Sequence, residues 1–441
     1  MNRSARSERP ESEVTMKDDR NDHVADDSVQ APDDMIDQAA PEVRPTPAEL
    51  GFRHPAEWEP HESTWIAWPH QEEDWPGKFG PIPWVFAEIV RHLSHSEQVD
   101  LIVPSRKRVD DVADALTRAG ADLDRVVFHE WRTDRGWLRD SLPSFLVRQG
   151  VEDSDEDPLG SRRAAVCWKF NAWAKYENYH RDAKLPRRIA RSYGIDRFKP
   201  FVYVGQDRHR VVLEGGAIDT NGQGVLLTTE ECLLSETQCR NPGLTREDYQ
   251  RLFAETLGID EVIWLGLGIV GDDTHGHVDD LARFVSTDTV VTVVEPSRAD
   301  VNYEPLADNL SRLKAARPGG KRLNVVELPM PRPVVFEGQR LPASYANFYV
   351  ANKVVLVPTF NDPSDRTALS ILSDCFPGRD VIGIHALDLV WGFGTLHCLA
   401  HEMPAIPELM KAEATVTESK AKSPRSQSAS TKPRPRKKSD E

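Results

Sequence analysis

The chain has 441 residues, 39% of them hydrophobic, with 11 Trp and 15 Phe. That is enough apolar material for one large domain or two to three average ones, and it excludes a disordered protein. A net charge of −16 argues against a nucleic-acid-binding body and favours cationic ligands.

Residues 1–46 are polar and Asp-rich, and are expected to form a disordered acidic tail. Residues 411–441 are Ser/Pro/Lys/Arg-rich low complexity, expected to be a disordered basic tail and the one part suited to nucleic acid. The folded body is therefore placed at 47–410. No stretch has the form of a secretory signal or the length of a membrane span. The five cysteines form no CxxC pair and fit a reducing compartment, so a cytoplasmic protein is expected. A homo-oligomer is allowed by the sequence but not specified by it.

In chain order, VDLIVPSRKRVDDVADALTRAG (99–120) reads as an apolar strand, a short loop and an amphipathic helix with apolar residues at i, i+3 and i+4. RVVFHEW, AAVCWKFNAW and KPFVYV follow as strands. Asn221-Gly222 between AID and VLLTT is a hairpin signal. VLLTTEECLL leads to the helical TREDYQRLFAETLG, and EVIWLGLG is a further strand. The strand–helix unit returns in VVTVVEPSRADVNYEPLADNLSRLKAA, and again in KVVLVPTFNDPSDRTALSILSDCFPG after the strand RLNVVELPM. A repeat of roughly 60–80 residues is too long for a short solenoid and suits a closed array of α/β modules around an axis. No GxGxxG follows the first strand, so a dinucleotide fold lacks support.

Four stretches carry candidate chemistry. RTDRGWLRDSLPSFLV (132–147) sets Asp140 near Trp137, a π-face and a carboxylate suited to a flat cation, or equally a helix cap or an Asp–Arg pair. VVLEGGAIDTNGQG places Glu214 at a strand end, able to orient an imidazole or cap a turn. THGHVDD (274–280) offers His275, His277, Asp279 and Asp280. These could serve a hydrolytic zinc, with His385, His397 and His401 as candidate outside ligands that no spacing fixes, a metal-free nucleophilic enzyme, or a loop bonded to itself. WGFGTLHCLAHEMP (391–404) sets Cys398 after Gly392 and Gly394, whose small size or positive φ would let backbone approach a ligand. Cys398 is there either a nucleophile exposed at a strand end or a small buried residue. The other four cysteines read as structural.

In this order the motifs WLRD, EGG, GHVD and a Gly-rich HC, with AEWEPHESTWIAWP (56–69), WKFNAW (168–173), NPGLTREDY and NFYVANKVVLVPTFNDPSD, resemble the agmatine deiminase family. That family belongs with the bacterial type of peptidyl-arginine deiminase, among the guanidine-modifying enzymes of the pentein fold. The resemblance runs from about Pro55 to Pro404 and implies a five-bladed, pseudo-symmetric α/β propeller. It implies Cys398 as nucleophile, His277 as general acid/base, and Glu214 as the carboxylate supporting that histidine. Asp140 and Asp279 then grip a guanidinium beside Trp137, and His275 is scaffold. The pattern departs at Leu142, where the family has a glycine, at Phe393 inside its triple glycine, and at Ala400 and His401.

The implied reaction converts agmatine to N-carbamoylputrescine and ammonia through a covalent thiouronium intermediate, as a step of polyamine synthesis, with no metal or organic cofactor. Three rivals stand beside it. A peptidyl- or free-arginine deiminase would share the mechanism, a zinc hydrolase would use THGHVDD, and a catalytically silent RNA-associated member would use the basic tail.

Overall fold

The computed structural model describes residues 45–148 and 161–406. The expected basic tail lies outside the described residues, as do 1–44 of the expected acidic tail and 407–410 of the expected body.

The α/β class is as expected. Among the described residues five mixed sheets share one pattern, in which a central strand pairs antiparallel on one side and parallel on the other. Val225–Thr229 lies between Asp219–Thr220 and Glu261–Leu265. Thr289–Val294 lies between Ala282–Phe284 and Asn324–Pro329. Val354–Thr359 and Arg163–Val166 are placed likewise, beside Tyr349–Val350 with Asp380–His385 and beside Ser144–Val147 with Asp196–Phe198. In the fifth sheet the first and last described strands meet. His61–Ala67 pairs parallel with Gln98–Val103, which pairs with Val126–Glu130, and antiparallel with His401–Pro404. Two short two-stranded ribbons complete the strands among the described residues.

The expected helices form where their periodicity placed them. Arg106–Ala119 buries Val109, Val112, Ala113 and Leu116, spaced three and four apart, and stops at Gly120 in the left-handed region at φ 83°. Arg246–Leu257 opens on a reciprocal capping box between Thr245 and Asp248. Tyr303–Ala315 and Ser364–Cys375 occupy the other two expected positions. The Asn221-Gly222 hairpin is also present, pairing Leu226 with Thr220.

AAVCWKFNAW departs from its expected extended form after Val166. Ala172, Trp173 and Ala174 take left-handed φ values of 50°, 59° and 53°. The β-favouring aromatics there are overridden by burial, because the turn carries the indole of Trp173 to Asp140.

The largest apolar cluster runs from the first sheet through Trp75 and Trp137 to Leu396 and Cys398, so the candidate site stands on packed core. No helix among the described residues is long and apolar enough to cross a membrane.

Candidate functional site

A cavity of about 250 Å³ opens over the core and is lined by Trp137, Asp140, Trp173, Phe393 and Cys398 among others. His277, Glu214 and Asp279 stand immediately behind this lining, so all six residues proposed from the sequence converge. They reach the site from separate connections of the fold, which explains their wide separation in sequence.

Cys398 lies on a single helical turn, Leu396–Leu399, and is buried. Of the two placements the sequence leaves open, the structure has the buried one, yet the thiol still lines the cavity; the turn precedes the strand His401–Pro404, whose pairing with His61–Ala67 pins it in the interior. Gly392 and Gly394 are needed for close approach. A Cβ at Gly392 would stand 2.7 Å from Trp75 Nε1, and one at Gly394 would stand 2.9 Å from Trp137 and 3.1 Å from the Cys398 Cβ. The positive φ in this loop falls on Phe393, at 65°.

Asp140 accepts from the Gly216 backbone at 2.9 Å and from Trp173 Nε1 at 2.8 Å, so both carboxylate oxygens are aimed. His277 sits among carboxylates, with Nδ1 3.9 Å from Asp140 and 4.0 Å from Asp279, and Nε2 3.8 Å from Glu214. Among the described residues neither imidazole nitrogen has a hydrogen-bond partner, nor has Asp279 Oδ1 or Glu214 Oε2. Such a concentration of unsatisfied buried polar atoms is rare in a folded interior except where a ligand or reacting group is bound.

The GHVD loop is held by Asp272. Its carboxylate accepts from the backbone of Thr274, Gly276 and His277. His275 turns away at φ 65°, and its Nε2 lies 3.1 Å from the Ser235 hydroxyl. The two histidines of THGHVDD therefore do not face one site, which removes the ligand set of the zinc reading. A different trio, Glu214, Cys232 and His277, does bring potential ligand atoms within 4.8 Å of one another. Arg240 Nε already lies 3.2 Å from Glu214 Oε1, so a cation placed there would meet a buried guanidinium.

Burial alone would raise the Glu214 pKa, but Arg240 and His277 outweigh it and hold the carboxylate at about 2. Burial likewise opposes charge on His277, yet Asp140, with Cys232 and Glu214, pushes its pKa well above the ordinary value. The Cys398 thiol is pushed well up by burial and by Asp279, Asp280 and Asp140, with the Asn347 amide opposing. Burial, then the neighbouring Asp279 and Glu214, raise Asp140 against the pull of His277. The resting cluster thus pairs a neutral thiol with a charged imidazole and carries excess negative potential.

Several residues of the site were missed from sequence in the roles they take here, His397 having been weighed only as a zinc ligand. Asn347 donates from Nδ2 to Cys398 Sγ at 3.1 Å and to Asp280 at 3.0 Å. His397 bridges Asp279 Oδ2 at 2.7 Å and Glu57 Oε2 at 2.8 Å. Glu57 is also met by Arg139 at 3.2 Å and Arg283 at 2.8 Å, and Arg139 reaches Glu402 at 2.8 Å. Cys232, read as structural, stands beside His277. Glu57 and His397 lay within quoted motifs, where a charged residue amid apolar neighbours was the available signal.

The sequence profile of the Porphyromonas-type peptidyl-arginine deiminases matches residues 53–404. An agmatine deiminase of Stutzerimonas stutzeri (strain A1501) is 32% identical over 384 residues, 82% of this chain and 97% of that protein. Among solved structures, the agmatine deiminase of Enterococcus faecalis superposes with a TM-score of 0.71 at 29% identity, covering 83% of this chain and 99% of that one. A cysteine-to-serine variant of the C. jejuni agmatine deiminase with substrate bound superposes at 0.68 and 28% identity, covering 80% and 96%. This chain belongs to the Porphyromonas-type peptidyl-arginine deiminase family.

Proposed function

We propose that the chain is an agmatine deiminase, hydrolysing agmatine to N-carbamoylputrescine and ammonia through a covalent intermediate on Cys398. The observation that carries this reading is the meeting of a thiol, an imidazole and two carboxylates at one end of a small, aromatic-walled and acidic cavity. The relatives' names supply the substrate.

Asp140 and Asp279 flank the planar guanidinium, fix its orientation and offset its charge. Entry of that cation lowers the thiol pKa, and the thiol proton passes to solvent. The Cys398 thiolate forms a bond to the guanidinium carbon, giving a tetrahedral adduct. His277 gives its proton to the departing nitrogen, the C–N bond breaks, ammonia leaves, and a thiouronium remains. Neutral His277 then takes a proton from water as it attacks the same carbon. The C–S bond breaks, returning the thiolate, and the hydroxyl proton passes to solvent, leaving the ureido product. Glu214, 3.8 Å from Nε2, favours the charged imidazole before the first step and again after the second.

The five mixed sheets we read as five blades about a pseudo-symmetry axis, the pentein arrangement, within a catalytic body of residues 47–410. Their shared strand order and the pairing of the first and last described strands support that reading. A peptidyl- or free-arginine deiminase is the second reading, favoured by Arg135 on the cavity wall; that guanidinium is, however, already bound to Asp74. Turnover of agmatine, arginine and an arginine peptide, with and without EDTA and beside Cys398→Ala, separates these. Chelator-resistant release of ammonia from agmatine, lost in the variant, is the expected result.

A further inference from the structure

We propose that Glu73 and Asp74, on the cavity wall, receive the ammonium at the far end of the substrate and so select agmatine over arginine. The inference rests on the reading of the substrate as a guanidine carried on an aliphatic amine. The charged residues lining the cavity are Glu73, Asp74, Asp140 and Asp273, against the one guanidinium of Arg135. A monocationic guanidine engaged by Asp140 leaves the other three carboxylates over, whereas a dication spreads its charge along the cavity.

The remaining groups are not equally available. Asp273 is committed, to Lys175 through Oδ1 and to the Tyr176 hydroxyl through Oδ2 at 2.7 Å. Arg135 is committed as well. It donates to Asp74 Oδ1 at 2.7 Å and to Asn178 at 3.1 Å, and lies 4.2 Å over the Tyr176 ring. Asp74 Oδ2, on a side chain only 3% exposed, has no hydrogen-bond partner among the described residues. Glu73 is exposed, with no hydrogen bond or ion pair among the described residues. One buried and one exposed carboxylate thus stand next to each other with unused acceptor capacity.

Their distance from the thiol is fixed by packing. Asp74 ends the short turn Glu72–Asp74, and Trp75 follows it. Trp75 packs against Trp137 with ring centroids 5.5 Å apart and donates to the Leu389 carbonyl at 2.8 Å. Trp391 Nε1 donates back to Pro76 at 3.0 Å, and Lys78 binds Asp388. Close packing therefore links the lining residues Cys398, Gly394, Trp137 and Gly392 to Trp75 behind them, the residue after Asp74. An α-amino acid would bring its carboxylate towards Glu73 and Asp74, where like charges repel.

The test measures kcat/KM for agmatine, 1-butylguanidine and arginine in the wild type, Glu73→Gln and Asp74→Asn. Butylguanidine keeps the reacting group and chain but lacks the ammonium. The wild type is expected to prefer agmatine by tenfold or more. Asp74→Asn is expected to cut the agmatine-to-butylguanidine ratio at least tenfold, mainly through KM, and Glu73→Gln by severalfold, with discrimination against arginine falling in both. A ratio that stays put while both substrates slow together would assign Asp74 to holding Arg135 and overturn the proposal. A wild type indifferent to the ammonium would overturn it too. If the wild type deiminates no guanidine, the functional reading itself fails, a result distinct from either.

Discussion

The side-chain amide of Asn347 donates to Cys398 Sγ at 3.1 Å. It pulls the thiol pKa down against burial and three neighbouring aspartates. Asn347 is itself fixed, since its Oδ1 accepts from the Thr395 hydroxyl at 2.7 Å and from the His397 backbone at 3.1 Å. A donor to an anionic sulfur contributes about 1.5–3 kcal/mol, more than a neutral bond of the same length. Asn347→Ala is therefore expected to lower kcat roughly tenfold or more. In the free protein, alkylation by iodoacetamide should be slow at neutral pH and rise as pH passes above the ordinary thiol range, with the variant's curve shifted further up. A thiol alkylated as fast at neutral pH as in strong alkali would contradict the raised pKa.

Gly216 is closed in by three reacting groups. A Cβ there would stand 2.5 Å from His277 Nδ1, 3.0 Å from Asp140 and 3.1 Å from Asp279. Gly216→Ala must displace the imidazole or both carboxylates, and a loss of kcat/KM of about a hundredfold or more is expected for such misplacement. Circular dichroism should show the fold retained. An active Gly216→Ala enzyme would mean that these groups need not converge.

Beneath the site, Glu57 and Glu402 share the buried guanidinium of Arg139. Burial would raise Glu402, but Arg139 and His401 hold it at about 2, below the ordinary 4.5. A depressed carboxylate adds stability that is complete above its unfolded pKa and is lost as pH falls through the folded one. This shift corresponds to about 3 kcal/mol. Glu402→Gln should be destabilised by that order at about pH 7, the gap from wild type narrowing as pH drops from about 4.5 towards 2. Denaturant unfolding at about pH 7 and about pH 3 checks it; an equal gap at both would rule out the ionised carboxylate as the cause.

Much of this arrangement was legible in the sequence, and for identifiable reasons. The helices ending at Ala119, Leu257, Ala315 and Cys375 follow from 3.6-residue apolar spacing, a local property. Trp137, Asp140, Glu214, His277, Asp279 and Cys398 were found through a run of motifs in fixed order. What stayed hidden depends on contacts between distant segments. His397 meets Glu57 from 340 residues away, and Asn347 meets Cys398 from 51. Neither pair leaves a periodic trace. The left-handed turn at Trp173 was hidden because its aromatics favour a strand, and only the bond to Asp140 shows why they do not form one. Cys232 was read as an inert core residue because a buried thiol in an apolar helix looks the same whether or not an imidazole faces it.

The most direct measurement is rapid quenching of the enzyme during agmatine turnover, followed by peptide mass spectrometry. The account predicts a covalent amidino adduct on the peptide carrying Cys398, appearing before steady-state product. It should be absent in Cys398→Ala, and His277→Asn should slow both its formation and its hydrolysis. Turnover of agmatine by Cys398→Ala, or an active wild type that never carries the adduct, would contradict nucleophilic catalysis at this thiol.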